Sequence, residues 1–318
     1  LSYERLVLTV KNTLEFVSLQ QENLRLRNRS PFVDIPFGKS RVMQKLHDQM
    51  LRIAGHNTPL LIIGETGNEK EMFARYLHKL GNRPGGPFVP ATISALSAED
   101  ALLALYGTEE NPDMTRKGLI EQAEGGTLFP KDIADMDLTL QARLQNTIET
   151  RSLSRPGATE NIPIDVRFVA ATSRNLGDLV PQGKLRDDLY YQLNVLSLKI
   201  PALREHAEDV PELLDFFVRH FAETQGLPLR TFTAAAKNYL GNYKWPGNLR
   251  ELKNLVQRLL ILGTSDTIET EEIAITLGRP PQTFSREFNV NFDLPLREAR
   301  VQFEKSYLQF KLEQANGS

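Results

Sequence analysis

The sequence predicts an α/β fold, in which a parallel sheet lies between helices and a smaller unit made of helices follows. Apolar strand segments alternate with helical segments between residues 59 and 199, and this alternation is typical of a parallel sheet covered on both faces. After Pro201 the strand segments stop, and helical patterns follow at 208–225, 232–241 and 248–262. A chain of 318 residues is long enough for one large core and one smaller core.

The first 30 residues predict a long helix. Apolar side chains between residues 2 and 29 recur at alternating threes and fours, but Thr13 and Gln20 stand where a seam would have hydrophobic residues. The pattern fits either a weak dimer seam or a helix packed on its own domain. Ser30-Pro31 ends the helix.

Residues 31–200 contain the alternating segments and form the predicted α/β domain. Helices are predicted at 46–53, 71–80, 98–105, 115–123, 137–150 and 186–193, and strands at 59–63, 88–92, 127–130, 164–171 and 195–199. Residues 201–278 form the predicted helical lid. The stretch 279–318 combines a linker rich in Pro, Asn, Ser and Thr with a final amphipathic helix.

The composition excludes several classes of function. A formal net charge of −2 gives no overall basic surface for nucleic acid. The absence of cysteine rules out a disulfide framework and a thiolate metal site. No apolar run approaches the roughly 18 residues of a membrane span, and the N-terminus has no signal segment. We therefore expect a cytoplasmic protein without a membrane partner.

The loop after the first predicted strand is close to a phosphate-binding loop. The pattern G-x-x-x-x-G-K-[ST] surrounds an anion with backbone amides and a lysine. Gly64 and Lys70 match it, whereas Glu69 stands where the pattern has glycine. The candidate nucleotide-binding residues of this loop are Gly64, Glu65, Thr66, Gly67, Asn68, Glu69, Lys70 and Glu71.

A site that hydrolyses nucleotide also needs an acidic strand end, which holds magnesium and orients water. The candidate strand, GGTLFPKDI at 125–133, ends in Pro130-Lys131-Asp132. Lys131 replaces the expected magnesium carboxylate, and Asp132 is the remaining candidate catalytic acid. Pro130 has no amide proton, so pairing should end or bulge there. We expect the loop and this strand to be neighbours in the sheet, with Glu69 approaching Lys131, directly or through water, across the phosphate site.

Six segments together resemble the AAA+ domain of sigma-54-dependent transcription activators. They are GETG at 64–67, GGTLF at 125–129, DVRFVAAT at 165–172, LRDDLYYQLNV at 185–195, IPALREHAEDV at 200–210 and WPGNLREL at 245–252. The resemblance implies an AAA+ P-loop NTPase fold with a C-terminal lid and flanking linker helices. The two ends, LSYERLVL and LPLREARVQFEKSYL, resemble response regulators of the NtrX type. This implies a receiver domain before residues 1–30 and a Fis-like DNA-binding domain whose first helix lies within 279–318.

The resemblance also implies roles for the residues that match its motifs. Lys70 matches the phosphate-loop lysine, Arg186 the arginine finger offered to a neighbouring subunit, and Arg250 the lid arginine that senses the γ-phosphate. Arg186 and Arg250 could instead form salt bridges at helix ends. We interpret residues 245–248 as a turn in which Asn248 caps the lid helix.

Other family positions differ in this chain. The GAFTGA loop that contacts sigma-54 should follow Leu105-Tyr106-Gly107, but residues 108–117 read TEENPDMTRK. Further departures are Glu69 for glycine, Lys131 and Asp132 for an Asp-Glu pair, Ser173 for a sensor asparagine, and Gln192 for a second arginine.

These departures predict the central domain of a response regulator that acts as an assembly scaffold and does not contact sigma-54. ATP or ADP is expected to bind weakly, without efficient hydrolysis and without a regular magnesium or other metal site. The alternative is a working ATPase that remodels sigma-54 RNA polymerase, whereas a metabolic P-loop kinase would need an acceptor-site signature. Expected partners are a second copy, as a dimer rather than a hexamer, DNA through the C-terminal domain, and a sensor histidine kinase through the receiver domain.

Overall fold

The computed structural model describes residues 38–93, 96–109, 115–158 and 160–278. The helix predicted within residues 1–30 and the linker and helix predicted within 279–318 lie outside these residues. The described part consists of an α/β sheet domain followed by a helical lid, so the predicted fold class is confirmed. Within the described ranges, no helix combines the length and the apolar character needed to cross a membrane.

The sheet domain follows the predicted alternation of strands and helices. In chain order its elements are α1 (Arg41–Ala54), β1 (Leu60–Ile63), α2 (Lys70–Leu80), β2 (Phe88–Thr92), α3 (Ala98–Tyr106), β3 (Gly107–Glu109), β4 (Thr115–Lys117), α4 (Leu119–Gln122), β5 (Thr127–Lys131), α5 (Leu138–Thr150), β6 (Ser152–Ser154), β7 (Asn161–Pro163), β8 (Arg167–Thr172), α6 (Leu176–Leu179), α7 (Asp187–Leu193) and β9 (Leu196–Lys199).

The central sheet has five parallel strands in the order β2, β5, β8, β1, β9. Strand β8 therefore separates β1, which leads into the phosphate loop, from β5, which ends at Lys131. The prediction that these two strands are neighbours is wrong. Strand order is set by packing between segments far apart in the chain, which a local sequence pattern does not contain.

Pro130 lies in β5, and the pairing of this strand accommodates the missing amide proton. Strand β5 pairs with β2 over its whole length, from Thr127 to Lys131. On its other edge, the pairing with β8 stops at Leu128, opposite Phe168. The strand has lost its second neighbour before Pro130 is reached, as the sequence predicts.

Apolar layers on both faces of the sheet fix the helices around it. Alternate residues of β1 point to opposite faces, so Leu60 and Ile62 pack with α1 and α2, whereas Leu61 packs with α3 and α5. Side chains of α2, including Phe73, also pack against Phe129 of β5. The start of α2 is thereby held close to the carboxyl end of β5, where Lys131 lies.

The segment 115–123, predicted as one helix, begins with a strand, and only its second half contains a helical turn. Strand β4 pairs antiparallel with β3, and only Leu119–Gln122 is helical. Two glycines permit this hairpin to close, because a Cβ atom on Gly107 would lie 2.0 Å from the carbonyl oxygen of Arg116, and one on Gly118 would lie 2.2 Å from that of Leu105. A second hairpin, β6–β7, has no counterpart in the predicted elements.

The lid begins with a 3-10 segment, Leu203–Asp209, and has its own apolar core around the buried Trp245. Its remaining elements are α8 (Val210–Gln225), β10 (Thr231–Phe232), α9 (Ala234–Gly241), α10 (Asn248–Leu262), β11 (Thr267–Ile268) and α11 (Thr270–Thr276). The lid is helical as predicted, except that β10 and β11 form a short parallel pair.

Candidate functional site

The phosphate loop connects β1 to α2, as the sequence predicts. Lys70 begins α2, and its ammonium group donates to the carbonyl oxygens of Gly64 at 2.9 Å and Glu65 at 3.2 Å. Burial lowers the pKa of Lys70, and the nearby negative charge of Asp132 opposes this shift. Lys70 thus already donates two hydrogen bonds to carbonyl oxygens of the loop.

Glu69 adopts the backbone conformation that glycine would have at this position. Its φ is 50° and its ψ is 45°, in the left-handed region, which costs a residue with a Cβ atom about 1–2 kcal/mol. Its carboxylate accepts a hydrogen bond from Arg250 Nε at 3.3 Å. Glu69 therefore does not pair with Lys131 as expected, because its side chain is directed towards Arg250 of the lid.

Lys131 binds a different acid, Glu71, in the first turn of α2. The distance from Lys131 Nζ to Glu71 Oε2 is 2.5 Å, and the other oxygen of Glu71 accepts from Arg75 at 2.7 Å. Burial would raise the pKa of Glu71, but the hydrogen bonds from Lys131 and Arg75 outweigh it and hold this pKa below its usual value. Glu71 occupies the position at which the phosphate-loop pattern has a serine or threonine.

These side chains do not fit a magnesium ion. Mg²⁺ requires oxygen ligands, usually one or two carboxylates with the phosphates of a substrate. Both oxygens of Glu71 are engaged by cationic groups, and the ammonium group of Lys131 stands at the strand end that would supply a carboxylate. Asp132 follows in the left-handed region, with φ 50°, and its charge acts on Lys70.

The lid lies directly on the phosphate loop. The backbone amide of Arg250 donates to the carbonyl oxygen of Gly67 at 3.0 Å. A Cβ atom on Gly67 would lie 2.1 Å from the carbonyl oxygen of Gly247, so only glycine permits this approach. The exposed guanidinium group of Arg250 is thereby placed beside the loop.

Asn248 joins three segments that lie far apart in the sequence. It is fully buried; its side-chain oxygen accepts from the Leu203 amide at 2.9 Å, and its nitrogen donates to Glu65 Oε2 and the Thr66 carbonyl, both at 3.1 Å. The prediction that Asn248 caps its own helix is therefore wrong. The N-cap of this helix is Gly247, which has a negative φ. Asn248 is the first residue of the helix and has a φ of 51°.

Glu65 forms a second link between loop and lid. Its carboxylate accepts two hydrogen bonds from Arg204, at 2.8 and 2.5 Å. The hydrogen bonds from Arg204 and Asn248 lower the pKa of Glu65 to about 2. The sequence pattern identifies Glu65 only as a loop residue, and it does not indicate Arg204 because 139 positions separate the pair.

The link through Glu65 predicts a pH dependence of the free energy of unfolding. Because the pKa of Glu65 falls from 4.5 to about 2 on folding, its stabilising contribution is complete above about pH 4.5 and is lost as the pH falls towards 2. Urea unfolding of the wild type and of Glu65→Gln, from about pH 6 downwards, should give curves that converge as the pH falls. Curves that run parallel through this window would contradict the assignment.

A recess lies between the sheet domain and the lid, next to the phosphate loop. Burial lowers the pKa of His206 at its edge, although Asp209 opposes this shift. The side chains that line the recess are mostly apolar. No sequence motif indicates the recess, because the residues that line it come from segments far apart in the chain. They include Met43, Met72, Ile200, Leu203, Leu213 and Leu249.

Arg186 is placed differently from the other candidate residues. It is exposed at the start of α7, and its guanidinium group bonds both oxygens of Asp188, at 3.0 and 2.7 Å. These hydrogen bonds raise the pKa of Arg186 further. The structure thus brings together Lys70, Glu69, Asp132 and Arg250, while Arg186 lies on an exposed helix end and is paired with Asp188.

Two variants at position 69 separate the effect of its charge on ATP binding from the effect of its left-handed backbone on stability. Glu69→Gly and Glu69→Gln both remove the carboxylate beside the phosphate position, and both should tighten ATP binding by about tenfold. Only the glycine variant relieves the left-handed backbone, so it should be about 1 kcal/mol more stable than the glutamine variant. Calorimetric titration and urea unfolding measure the two quantities. Equal stability of the two variants would show that position 69 is not strained.

Comparisons with known proteins identify the families of the sheet domain and of the lid. The family model described as the Sigma-54 interaction domain matches residues 37–199, and the model of the AAA+ ATPase lid domain matches residues 204–287. The nitrogen assimilation regulatory protein NtrX of Azorhizobium caulinodans is 35% identical over 324 residues, which cover 99% of this chain and 70% of that protein. The transcriptional regulatory protein ZraR of Escherichia coli K12 is 35% identical over 88% of this chain and 63% of its own length.

The solved structures include similar proteins over the same span. The crystal structure of NtrX from Brucella abortus has a TM-score of 0.74 at 32% identity, covering 100% of this chain and 70% of that one. The same protein has been solved in complex with ADP and with ATP, with TM-scores of 0.73 and 0.74. This chain therefore spans between about three fifths and seven tenths of the length of these relatives.

Proposed function

The chain belongs to the Sigma-54 interaction domain family of AAA+ proteins, and we propose that it is the central domain of a cytoplasmic two-component response regulator that controls transcription. Similarity to NtrX proteins over nearly the whole chain supports this assignment. A sensor histidine kinase would act through a receiver domain preceding residues 1–30. DNA would be bound by a Fis-like domain that begins within 279–318.

Within this regulator the domain binds ATP or ADP weakly and serves as an assembly scaffold without efficient hydrolysis. One observation carries this proposal: side chains at the catalytic positions are paired with each other, Glu71 with Lys131 at 2.5 Å and Glu69 with Arg250 at 3.3 Å. Phosphoryl transfer needs preorganised charges that are directed at the phosphate. The ADP and ATP complexes of the similar B. abortus protein support nucleotide binding by this domain.

The residues that remain are sufficient for binding. Lys70 can exchange the carbonyl oxygens of Gly64 and Glu65 for a phosphate, which is the stronger, charge-assisted acceptor. Arg250 can exchange Glu69 for a phosphate in the same way. The base would enter the apolar recess between the sheet domain and the lid. Each exchange replaces an existing contact, which is why we expect the affinity to be modest.

The hairpin at residues 107–117 supports the absence of contact with sigma-54. Strands β3 and β4 are three residues each, and Arg155 binds both Glu109 at 2.8 Å and Glu121 at 2.7 Å. The hydrogen bonds that Arg155 donates to Glu121 and Glu109 raise the pKa of Arg155. Arg155 thus ties the last residue of β3, Glu109, to Glu121 of the sheet domain. Residues 110–114 connect the two strands.

The alternative is an active ATPase that remodels sigma-54 RNA polymerase. The specific observation in its favour is that Lys70, Arg186 and Arg250 all stand at the positions that the family motifs assign to phosphate binding and sensing. On this alternative, Arg186 would complete the site of a neighbouring subunit.

Two measurements on the same sample separate these functions. We expect no retention of sigma-54 in a pull-down with an ATP transition-state analogue, with a GAFTGA-containing activator as the positive control. We expect light scattering to give a dimer, or a monomer–dimer mixture, whose mass does not respond to ATP. Retention of sigma-54, or a hexamer formed on addition of ATP, would reject the scaffold in favour of the ATPase.

A further inference from the structure

We infer that Lys131 replaces the divalent cation of the nucleotide site, so that this domain binds the metal-free form of ATP or ADP. The inference rests on the proposed nucleotide binding and adds to it the chemical form of the ligand. It is carried by the contacts of Lys131, Glu71 and Arg75.

The two positions that hold magnesium in a phosphate-loop site both depart from the pattern in this chain. The position after the loop lysine, which supplies a hydroxyl ligand, is Glu71, and the acidic strand end is Lys131. In place of two oxygen ligands for one cation, this chain has the carboxylate of Glu71 and the ammonium group of Lys131, which lie 2.5 Å apart. The ammonium group of Lys131 is a positive charge built into the place where an ion would bind.

Glu71 keeps a counter-ion when Lys131 turns to another anion. Its Oε1 atom accepts from Arg75 Nε at 2.9 Å and Nη2 at 2.7 Å. The guanidinium group of Arg75 is itself fixed over the ring of Phe88, at 4.4 Å from the ring centre. Lys131 can therefore move from Glu71 to a phosphate oxygen without leaving an unpaired carboxylate behind.

A bound metal ion would meet an unfavourable charge distribution here. Glu71 lies between Lys131 and Arg75, so the three groups together carry one net positive charge. An ion would have to displace one of these cations to reach the carboxylate. A polyphosphate chain has the opposite sign, and an ammonium group binds phosphate as a compact point charge.

The test is the affinity for fluorescent ADP and ATP, measured with Mg²⁺ and with EDTA. For the wild type we expect dissociation constants that agree within about twofold between the two conditions. Lys131→Ala should weaken binding by about tenfold in EDTA, and Lys131→Arg should retain both the affinity and the independence from metal. The double variant Glu71→Thr, Lys131→Asp should bind at least about tenfold more tightly with Mg²⁺ than with EDTA.

Lys184→Ala is the matched control for Lys131→Ala, because it removes one positive charge from an exposed loop and should leave both constants as in the wild type. If Mg²⁺ tightens binding to the wild type by about tenfold or more, the inference is overturned while the proposed nucleotide binding stands. If no form of the protein binds nucleotide under either condition, the proposed binding and the inference fail together.

Discussion

A variant with Glu69→Gly, Glu71→Thr, Lys131→Asp and Asp132→Glu is expected to hydrolyse ATP at least about 100-fold faster than the wild type. In the wild type the ion pair of Glu71 and Lys131 occupies the magnesium positions, and Glu69 engages the guanidinium group of Arg250. The four changes restore a hydroxyl and a carboxylate for the metal ion, a glycine in the loop and a longer acid beside it. Phosphate release measured under steady-state conditions gives the rate.

Partial restorations separate the contributions of these four positions. Glu69→Gly alone should tighten binding without producing turnover, because the ion pair at the metal positions remains. Lys131→Asp alone should also give no turnover. It places a new carboxylate beside Glu71 and removes one of the two cations that bind Glu71. Adding Lys70→Ala to the four changes should abolish the gain. Wild-type hydrolysis at a rate equal to that of the restored variant would show that the pairing does not limit the chemistry.

Replacement of Asn248 by glycine is expected to lower the free energy of unfolding by about 2–3 kcal/mol. The variant loses three hydrogen bonds, and one of them leaves the Leu203 amide without its acceptor. Glycine accommodates the φ of 51°, so this loss is free of backbone strain. Asn248→Ala should cost about 1 kcal/mol more, because alanine must adopt the left-handed region.

Trp245, the one tryptophan of the chain, reports this unfolding by fluorescence from the core of the lid. Asn242→Ala is the matched control, since Asn242 is exposed on the same lid and its change should stay within about 0.5 kcal/mol. A loss below about 0.5 kcal/mol in Asn248→Gly would mean that the contacts of Asn248 do not hold the lid on the loop.

Linking the lid to the loop has a consequence for nucleotide binding. Glu65, Thr66 and Gly67 all contact the lid directly, through Arg204, Asn248 and the backbone of Arg250. A ligand that binds the loop and the recess contacts both units, so it should stabilise their association. Lid stability and nucleotide affinity are thus coupled, and Asn248→Gly should also weaken ATP binding.

The local patterns in the sequence were sufficient to locate most of the sheet and lid elements. Helix 248–262 has the bounds that the sequence predicts, and α2 and β2 lie where their apolar periodicity places them. Periodicity succeeds because the burial of one face of a helix, or of a whole strand, follows from the local order of side chains. It failed at 115–123, where Gly107 and Gly118 permit a close hairpin that their local sequence does not reveal.

The sequence by itself determined which charges are present at the loop and at the end of β5, and therefore that the site departs from an ordinary phosphate loop. Only the tertiary structure decided which of them meet. Sheet order places β8 between β1 and β5, and the packing of α2 on β5 brings Glu71 to Lys131. The left-handed turn at Glu69 directs its carboxylate to Arg250 of the lid instead. An ion pair depends on a few ångströms of separation, and that separation is set by strand order and backbone dihedral angles, which residue identity alone does not fix.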